Sequence, residues 1–277
     1  MSQGILITFL NMRKISTQKA SGGDLASEEA KPSIARALDI LDLFTIETPS
    51  WTAEQICDAR DLSVPTGYRY LRELLSAALL VRLSGGRYAL GPRIIALDYT
   101  IRQSDPLLRV AAPVMSDLAR RTGCDCVLSA LLGVQILDTH REAGADALSL
   151  AYGRGRPRPM FHGAAPKVIL AEQPTAWLRK LYDARSDDIA AAGMGADWTT
   201  FRQSLSDIRR RGFYISHGEL EPNLSAIAAP IDVGSQEAQA AIALVNVSDR
   251  FDVLNTDLIA QLVMQSAQQI GAALQID

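Results

Sequence analysis

The sequence predicts an α+β protein, with a helical N-terminal third closed by a short hairpin, followed by a sheet whose helices gather at its ends. Three observations lead there. Apolar residues recur at helical spacing from Ser33 to Ala78, and two strand-like runs then flank Ser84-Gly85-Gly86. Beyond Gly123 the pattern becomes strands and helices without a strict strand–helix–strand repeat, as in α+β folds. At 277 residues the chain exceeds a single small core, so two domains are expected.

Residues 1–32 mix Ser, Gly, Lys and Glu without periodicity and read as a disordered leader, in which Met12 is a candidate alternative start. Ser33 is the expected N-cap of a first helix burying Ala37, Ile40, Leu41 and Phe44, ended by Pro49. Thr52 caps a second, to about Arg60, with Ala53, Ile56 and Cys57 inward. After the turn Asp61-Leu62-Ser63, a third helix runs from Val64 to about Ala78, Pro65 being tolerated in its first turn. Its expected core face is Val64, Tyr68, Leu71, Leu75 and Ala78. Strands at Leu80–Leu83 and Arg87–Leu90 complete a winged helix-turn-helix over 33–91.

A connecting helix follows Pro92 over 92–104, and another opens at Asp105-Pro106 and reaches Arg121. Strands are expected at Cys124–Leu132, Val134–Arg141 and Ala147–Tyr152. The loop GRGRPRP (153–159) leads to a helix at Ala164–Ala171, with further helices at Thr175–Ala184 and Trp198–Arg211. Strands at Phe213–His217, Leu224–Val233 and Gln239–Val247 precede a last helix from about Asn255 to Leu274, with Leu258, Leu262 and Ile270 inward. Residues 105–277 thus form the second domain.

A winged helix-turn-helix reads double-stranded DNA by laying its third helix in the major groove. The net charge of −3 opposes coating of nucleic acid by bulk charge, but the charge is unevenly spread. Over 60–93 six arginines face Asp61 and Glu73, a surplus of +4, so the rest of the chain carries −7. The candidate DNA contacts are Arg36, Ser63, Thr66, Gly67, Tyr68, Arg69, Arg72, Arg82 and Arg87. Helix packing is an equally open role for Gly67.

No HExxH, GxSxG or Walker sequence is present among the chain's motifs, so no catalytic residue is assigned. His217 and Glu219 are close enough for acid/base work, but a place at a strand end, on a pocket rim or bonded to backbone suits them better. The alternative weighed is an enzyme or sensor whose helix-turn-helix mediates protein contacts. Cys57, Cys124 and Cys126 form no CxxC pair and read as reduced core thiols, and neither a metal nor a cofactor is expected. No apolar run approaches the roughly 18 residues a spanning helix needs. The expected setting is the cytoplasm, with no membrane partner.

The runs SIARALDILDLF, TAEQICDARDLSVPTGYRYLRELLSAALLVR and GGRYALGPRIIAL resemble the winged helix of the IclR family of bacterial regulators. LRVAAPVMSDLARRTG, IRRRGFYISHGELEPNLSAIAAPI and the C-terminal helix resemble its effector-binding domain, so the likeness spans 33–275. RRRGF followed by GELEPNLSAIAAPI is the specific part. The resemblance implies a GAF-like α/β effector domain joined by a linker helix to the DNA reader. It also implies a homodimer or homotetramer, a palindromic operator and control by a small organic acid.

The family's pocket motif, His-Ala-Ser/Thr-Gly/Ala-x-Gly-Lys, aligns with Phe161, His162, Gly163, Ala164, Ala165, Pro166 and Lys167. Phe161 replaces the histidine and Pro166 a glycine. Ser216, Ala226, Ala243 and Val245 stand where relatives carry Asp, Cys and two Ser, and Leu150 is counted with them. Each change removes a polar group, which implies a larger, more apolar ligand such as an aromatic acid. The amides of Ala164 and Ala165, helped by His162, would take its carboxylate. Ordinary core packing explains Ala226, Ala243 and Val245 nearly as well.

Overall fold

The protein is described by a computed structural model that covers residues 32–145, 153–234 and 240–275. It divides into two compact units between Asp105 and Pro106.

In the first unit, α1 (Ser33–Leu38) tightens into a 3-10 turn at Asp39–Leu43 and buries Ile40. The expected N-cap at Ser33 is displaced. Pro32 holds the cap position, and the Ser33 hydroxyl donates instead to the Tyr70 hydroxyl at 3.1 Å. The turn ends before Pro49 because Trp51 Nε1 takes the Leu43 carbonyl, one of the orphan acceptors at a helix terminus, at 2.8 Å. Strand β1 (Trp51–Thr52) leads into α2 (Ala53–Ala59), closed by a reciprocal capping box between Thr52 and Gln55. Ala53, Ile56 and Cys57 are buried, as their spacing predicts.

Helix α3 (Val64–Ser76) is rotated from the expected frame. Gly67, Tyr70, Leu71 and Leu74 are buried, while Val64 and Tyr68 are 58% and 47% exposed. The cause is Gly67, whose missing side chain admits the Cys57 thiol; a Cβ there would lie 2.2 Å from Sγ. This close approach of α2 turns Tyr70 and Leu74 into the core and Val64 and Tyr68 out of it. Strands β2 (Leu80–Arg82) and β3 (Arg87–Leu90) form the hairpin, turning through Gly85 and Gly86 at φ +71 and +73, which only glycine adopts freely. β1 adds to β3, so the wing is three-stranded in the order β1-β3-β2. Helix α4 (Pro92–Ser104) has no buried residue, and Ile95, Tyr99 and Ile101 are exposed.

The second unit begins with α5 (Pro106–Thr122) and continues with β4 (Asp125–Leu132), β5 (Gln135–Glu142) and β6 (Pro157–Arg158). Next come α6 (Ala164–Ala171), α7 (Thr175–Ala191) and α8 (Trp198–Arg211). The chain then forms β7 (Tyr214–His217), β8 (Leu224–Ile231), β9 (Ala240–Val247), α9 (Ser248–Asp252) and α10 (Thr256–Leu274). Helix α7 passes the expected end at Ala184 through a kink at Arg185, and α9 was not expected. The expected strand Ala147–Tyr152 and residues 1–31 lie outside the described residues.

The strands form one antiparallel sheet in the order β6-β5-β4-β9-β8-β7. Alternation divides their side chains between two cores. Cys124, Cys126, Leu128, Ile227 and Leu244 pack with α5 and α10, whereas Ala228, Ala241 and Ala243 face α6 and α8. Alanines on that second face let α6 lie directly against the sheet, and all eight of its residues are buried. In α10 the buried stripe is Ile259, Val263, Ala267 and Ile270. Leu258 is 52% exposed, not inward. Its amide is drawn to the Asn255 cap at 3.1 Å, and the stripe lies one residue on, about 100° around the helix. The three cysteines are free and buried, and burial pushes the Cys126 thiol far above its ordinary pKa. Among the described residues no helix is long and apolar enough to cross a membrane.

Candidate functional site

Two surfaces collect the candidate residues. On α3 the rotation leaves Arg69, Arg72 and Tyr68 exposed and Thr66 half-exposed, with the Ser63 hydroxyl donating to Thr66 Oγ1 at 2.9 Å at the helix start. Arg72 is only loosely paired with Glu73, at 3.9 Å. The Arg69 guanidinium lies 5.4 Å from the centre of the Tyr70 ring. The Ser33 hydrogen bond, helped by the charges of Arg69 and Arg36, holds the Tyr70 hydroxyl below the usual tyrosine pKa against some desolvation. Arg36 and Arg69 therefore bear on one spot. Tyr68 donates to Glu54 at 3.3 Å, and that carboxylate pushes its pKa up.

Two candidate contacts are engaged inward. Gly67 is buried against Cys57, so packing accounts for the glycine, and its N–H donates to the Ser63 carbonyl at 2.9 Å. Arg87 is half-buried and ties the wing to the segment before β1, donating to Ser50 Oγ at 2.8 Å and to the Ser50 carbonyl at 2.5 Å. Arg82, on β2, is exposed.

The second surface is a cleft in the α6–sheet layer, open to solvent. Ala164, Ala165, Ser216, Ala226, Ala243 and Val245 all line it. The register explains why: Ala226 lies opposite both Ser216 and Val245, and Ala243 sits two residues along the same face of β9. The other lining residues are Arg158, Gly163, Glu219, Leu220, Glu221 and Leu224. The resemblance pointed to none of these six as a ligand contact.

Phe161 and His162 are not on the cavity wall. Phe161 is 3% exposed in the α6–α8 core, with the Arg185 guanidinium 5.6 Å from its ring centre. His162 is half-buried in the turn before α6, its N–H pointing to the Pro159 carbonyl at 3.4 Å. Leu150 lies outside the described residues. Periodicity could not have revealed the placement of Phe161 and His162, because the irregular turn before α6 decides it.

The start of α6 is already partnered. The Glu219 carboxylate accepts from the Gly163 N–H at 2.8 Å, from Lys167 Nζ at 2.7 Å and from the Tyr214 hydroxyl at 2.9 Å. Burial pushes this carboxyl up, but Lys167, the Gly163 amide and Tyr214 outweigh it and leave its pKa below the ordinary glutamate value. Burial likewise raises the Tyr214 hydroxyl, with Lys167 opposing. His217 is separate from Glu219, its Nδ1 lying 3.1 Å from Ser225 Oγ, so the two form no acid/base pair. Near the same helix start, Arg158 donates from Nε to Asp138 at 2.6 Å, and Ser129 donates to the same oxygen at 2.8 Å.

A winged helix-turn-helix carried on the same chain as a separate α/β unit with a lined cleft points to a transcription regulator with an effector domain. Residues 33–84 match the IclR helix-turn-helix domain, and residues 100–272 match the domain described as bacterial transcriptional regulator IclR C-terminal. The chain belongs to the IclR family of transcriptional regulators, whose members similar to it are regulators and not enzymes. It is 22% identical to the HTH-type transcriptional regulator KipR of Bacillus subtilis (strain 168), over 86% of this chain and 95% of that one. To XynR of Escherichia coli (strain K12) it is 26% identical, over 87% and 95%. The crystal structure of an IclR homolog from Microbacterium hydrocarbonoxydans, complexed with 4-hydroxybenzoate, shares its fold. The TM-score is 0.71 at 22% identity, covering 89% of this chain and 100% of that one.

Proposed function

We propose that this regulator controls a catabolic operon, reads a double-stranded operator through the exposed face of α3, and is switched by a small aromatic acid held in the α6 cavity. The observation that carries the reading is the lining of that cavity. Ala164, Ala165, Ala226, Ala243 and Val245, with Leu220 and Leu224, offer an apolar bed, while charged groups are confined to Arg158, Glu219 and Glu221. A short oxoacid would leave most of that apolar surface unused, whereas an aromatic ring buries against it. The same fold holds 4-hydroxybenzoate in the Microbacterium protein.

Thr66, Arg69 and Arg72 on α3, with Ser63, Tyr68, Arg36 and the wing residue Arg82 around them, form the DNA-reading set. Paired reading heads in a homodimer or homotetramer would meet a palindromic operator. The expected setting is the cytoplasm. For the ligand to act, it must bind two states of the protein unequally, by a coupling of about 1–3 kcal/mol.

The test is a gel-shift titration of the full-length protein at low salt. It uses the intergenic DNA beside its own gene, with and without benzoate and 4-hydroxybenzoate, together with calorimetry against the same acids and against glyoxylate and pyruvate. The expected result is a specific shift altered by the aromatic acids. Absence of any shift would sink the DNA reading. Tight binding of glyoxylate or pyruvate in place of the aromatic acids would overturn the ligand class.

A further inference from the structure

Helix α3 carries two outward arginines, Arg69 and Arg72, and they are held differently. The Arg72 side chain is 76% exposed, and its loosely paired neighbour Glu73 stands 3.9 Å away on the same surface. An exposed pair of that length restrains a side chain little. Arg69 is exposed as well, but its guanidinium carbon lies 5.4 Å from the centre of the Tyr70 ring, within reach of a cation–π contact. Side chains at successive positions of a helix point in different directions. Arg69 therefore meets the ring only by bending toward the side of α3 on which α1 lies, where Ser33 touches Tyr70.

Tyr70 is a rigid platform. It is 5% exposed and packs in the core of the first unit with Ile40, Leu71 and Leu74. Its hydroxyl accepts from Ser33 Oγ at 3.1 Å, so the far end of the ring is tied to α1. That hydroxyl of Ser33 makes no cap for α1, whose start is held by Pro32 without a side-chain bond. The charges of Arg69 and of Arg36 on α1 both act on the Tyr70 hydroxyl. Two cations thus gather at one phenol beside the exposed surface of α3, where the charge of a DNA backbone would relieve their repulsion. An arginine has many rotamers, and ordering them on binding costs free energy. A guanidinium already held against a fixed ring loses less freedom when it meets its target.

We propose that Tyr70 is a positioning residue for sequence reading: its buried ring, anchored to α1 through Ser33, holds the Arg69 guanidinium in the geometry that meets a base edge. This rests on the reading of α3 as the DNA-reading helix given above.

Gel-shift titration of the full-length protein tests it, on the intergenic DNA beside its own gene and on single-base variants of the bound site. The proteins compared are wild type, R69A, Y70F, Y70L and Y70L/R69A, and thermal melting reports whether each folds. Y70F keeps the ring and should keep the wild-type base preference. Y70L should lose about two- to fivefold in operator affinity, confined to the base position that R69A relaxes. In Y70L/R69A no loss beyond that of R69A is expected. A merely structural role would weaken binding to every sequence alike and would persist in the R69A background, and either result overturns the proposal. If Y70L does not fold, Y70F decides: preserved preference at that position supports the ring, and its loss overturns it. An R69A protein with unchanged base preference removes Arg69 from the bases, and this inference with it, while DNA binding through α3 stands. No shift with any protein overturns the DNA reading itself.

Discussion

At the scale of single residues, small side chains and buried charges decide the local geometry. Gly67 sets the frame of α3 by its close approach to Cys57, 2.2 Å from where a Cβ would stand. Gly67→Ala should destabilise the first unit by about 1–3 kcal/mol through overpacking. Cys57→Ala in the same chain should recover much of that loss, because only the Cys57 Cβ, 3.8 Å away, then remains. A double-mutant cycle in denaturant measures the coupling. Glu219 joins Lys167, Tyr214 and the start of α6 with its pKa lowered in the folded state. A carboxylate with a lowered folded pKa adds stability above its unfolded pKa and loses it as pH falls through the folded one. Glu219→Gln should therefore destabilise by roughly 1–3 kcal/mol at pH 7. Its melting curve should converge on that of the wild type below about pH 4, near and beneath the ordinary glutamate value.

At the scale of elements, α3 is where sequence and structure part most instructively. Its existence, its proline start and the exposure of Arg69, Arg72 and Glu73 follow from sequence pattern. Its rotation does not, because Val64 and Tyr68 are as apolar as the residues that are buried, and only the approach of α2 selects between the faces. The correction adds Tyr68 to the outward surface beside Arg69. Arg69→Ala should cost about 1–3 kcal/mol of operator affinity and relax preference at one base position, if Arg69 contacts a base edge. Binding to a panel of operator variants checks this, and unchanged affinity would remove Arg69 from the interface. The strand β1 was missed for a related reason: two residues carry no periodicity, and Trp51 and Thr52 become a strand only by pairing with Tyr88 and Arg87.

At the scale of the whole molecule, α4 is the covalent route between the two units, and it buries none of its own residues. A helix without a core of its own is held by its backbone bonds, so it is the place to cut communication without damaging either unit. Thr100→Pro removes an internal hydrogen bond and should break α4 at a cost of about 3 kcal/mol. The expected outcome is unchanged affinity for the acid in calorimetry but a much smaller effect of that acid on operator binding. A variant that retains full coupling would exclude a continuous α4 as the transmitter.

The sequence by itself determined the long helices and strands, the cap at Thr52, the hairpin and the buried cysteines, because these depend on local spacing and turn chemistry; the short elements β1, β6 and α9 did not follow from it. Resemblance added Ala164, Ala165, Ser216, Ala226, Ala243 and Val245, which the pairing of β7, β8 and β9 and the start of α6 bring to one cavity. Only the tertiary structure decided what completes that cavity. Arg158 and Glu219 are sixty-one positions apart in the chain, and although Glu219 falls in the GELEPNLSAIAAPI run, nothing in either segment marks the residue as a neighbour of the cavity. They face the same space because β6 and the turn after β7 are folded toward α6, and no local pattern records a contact made through three separate elements.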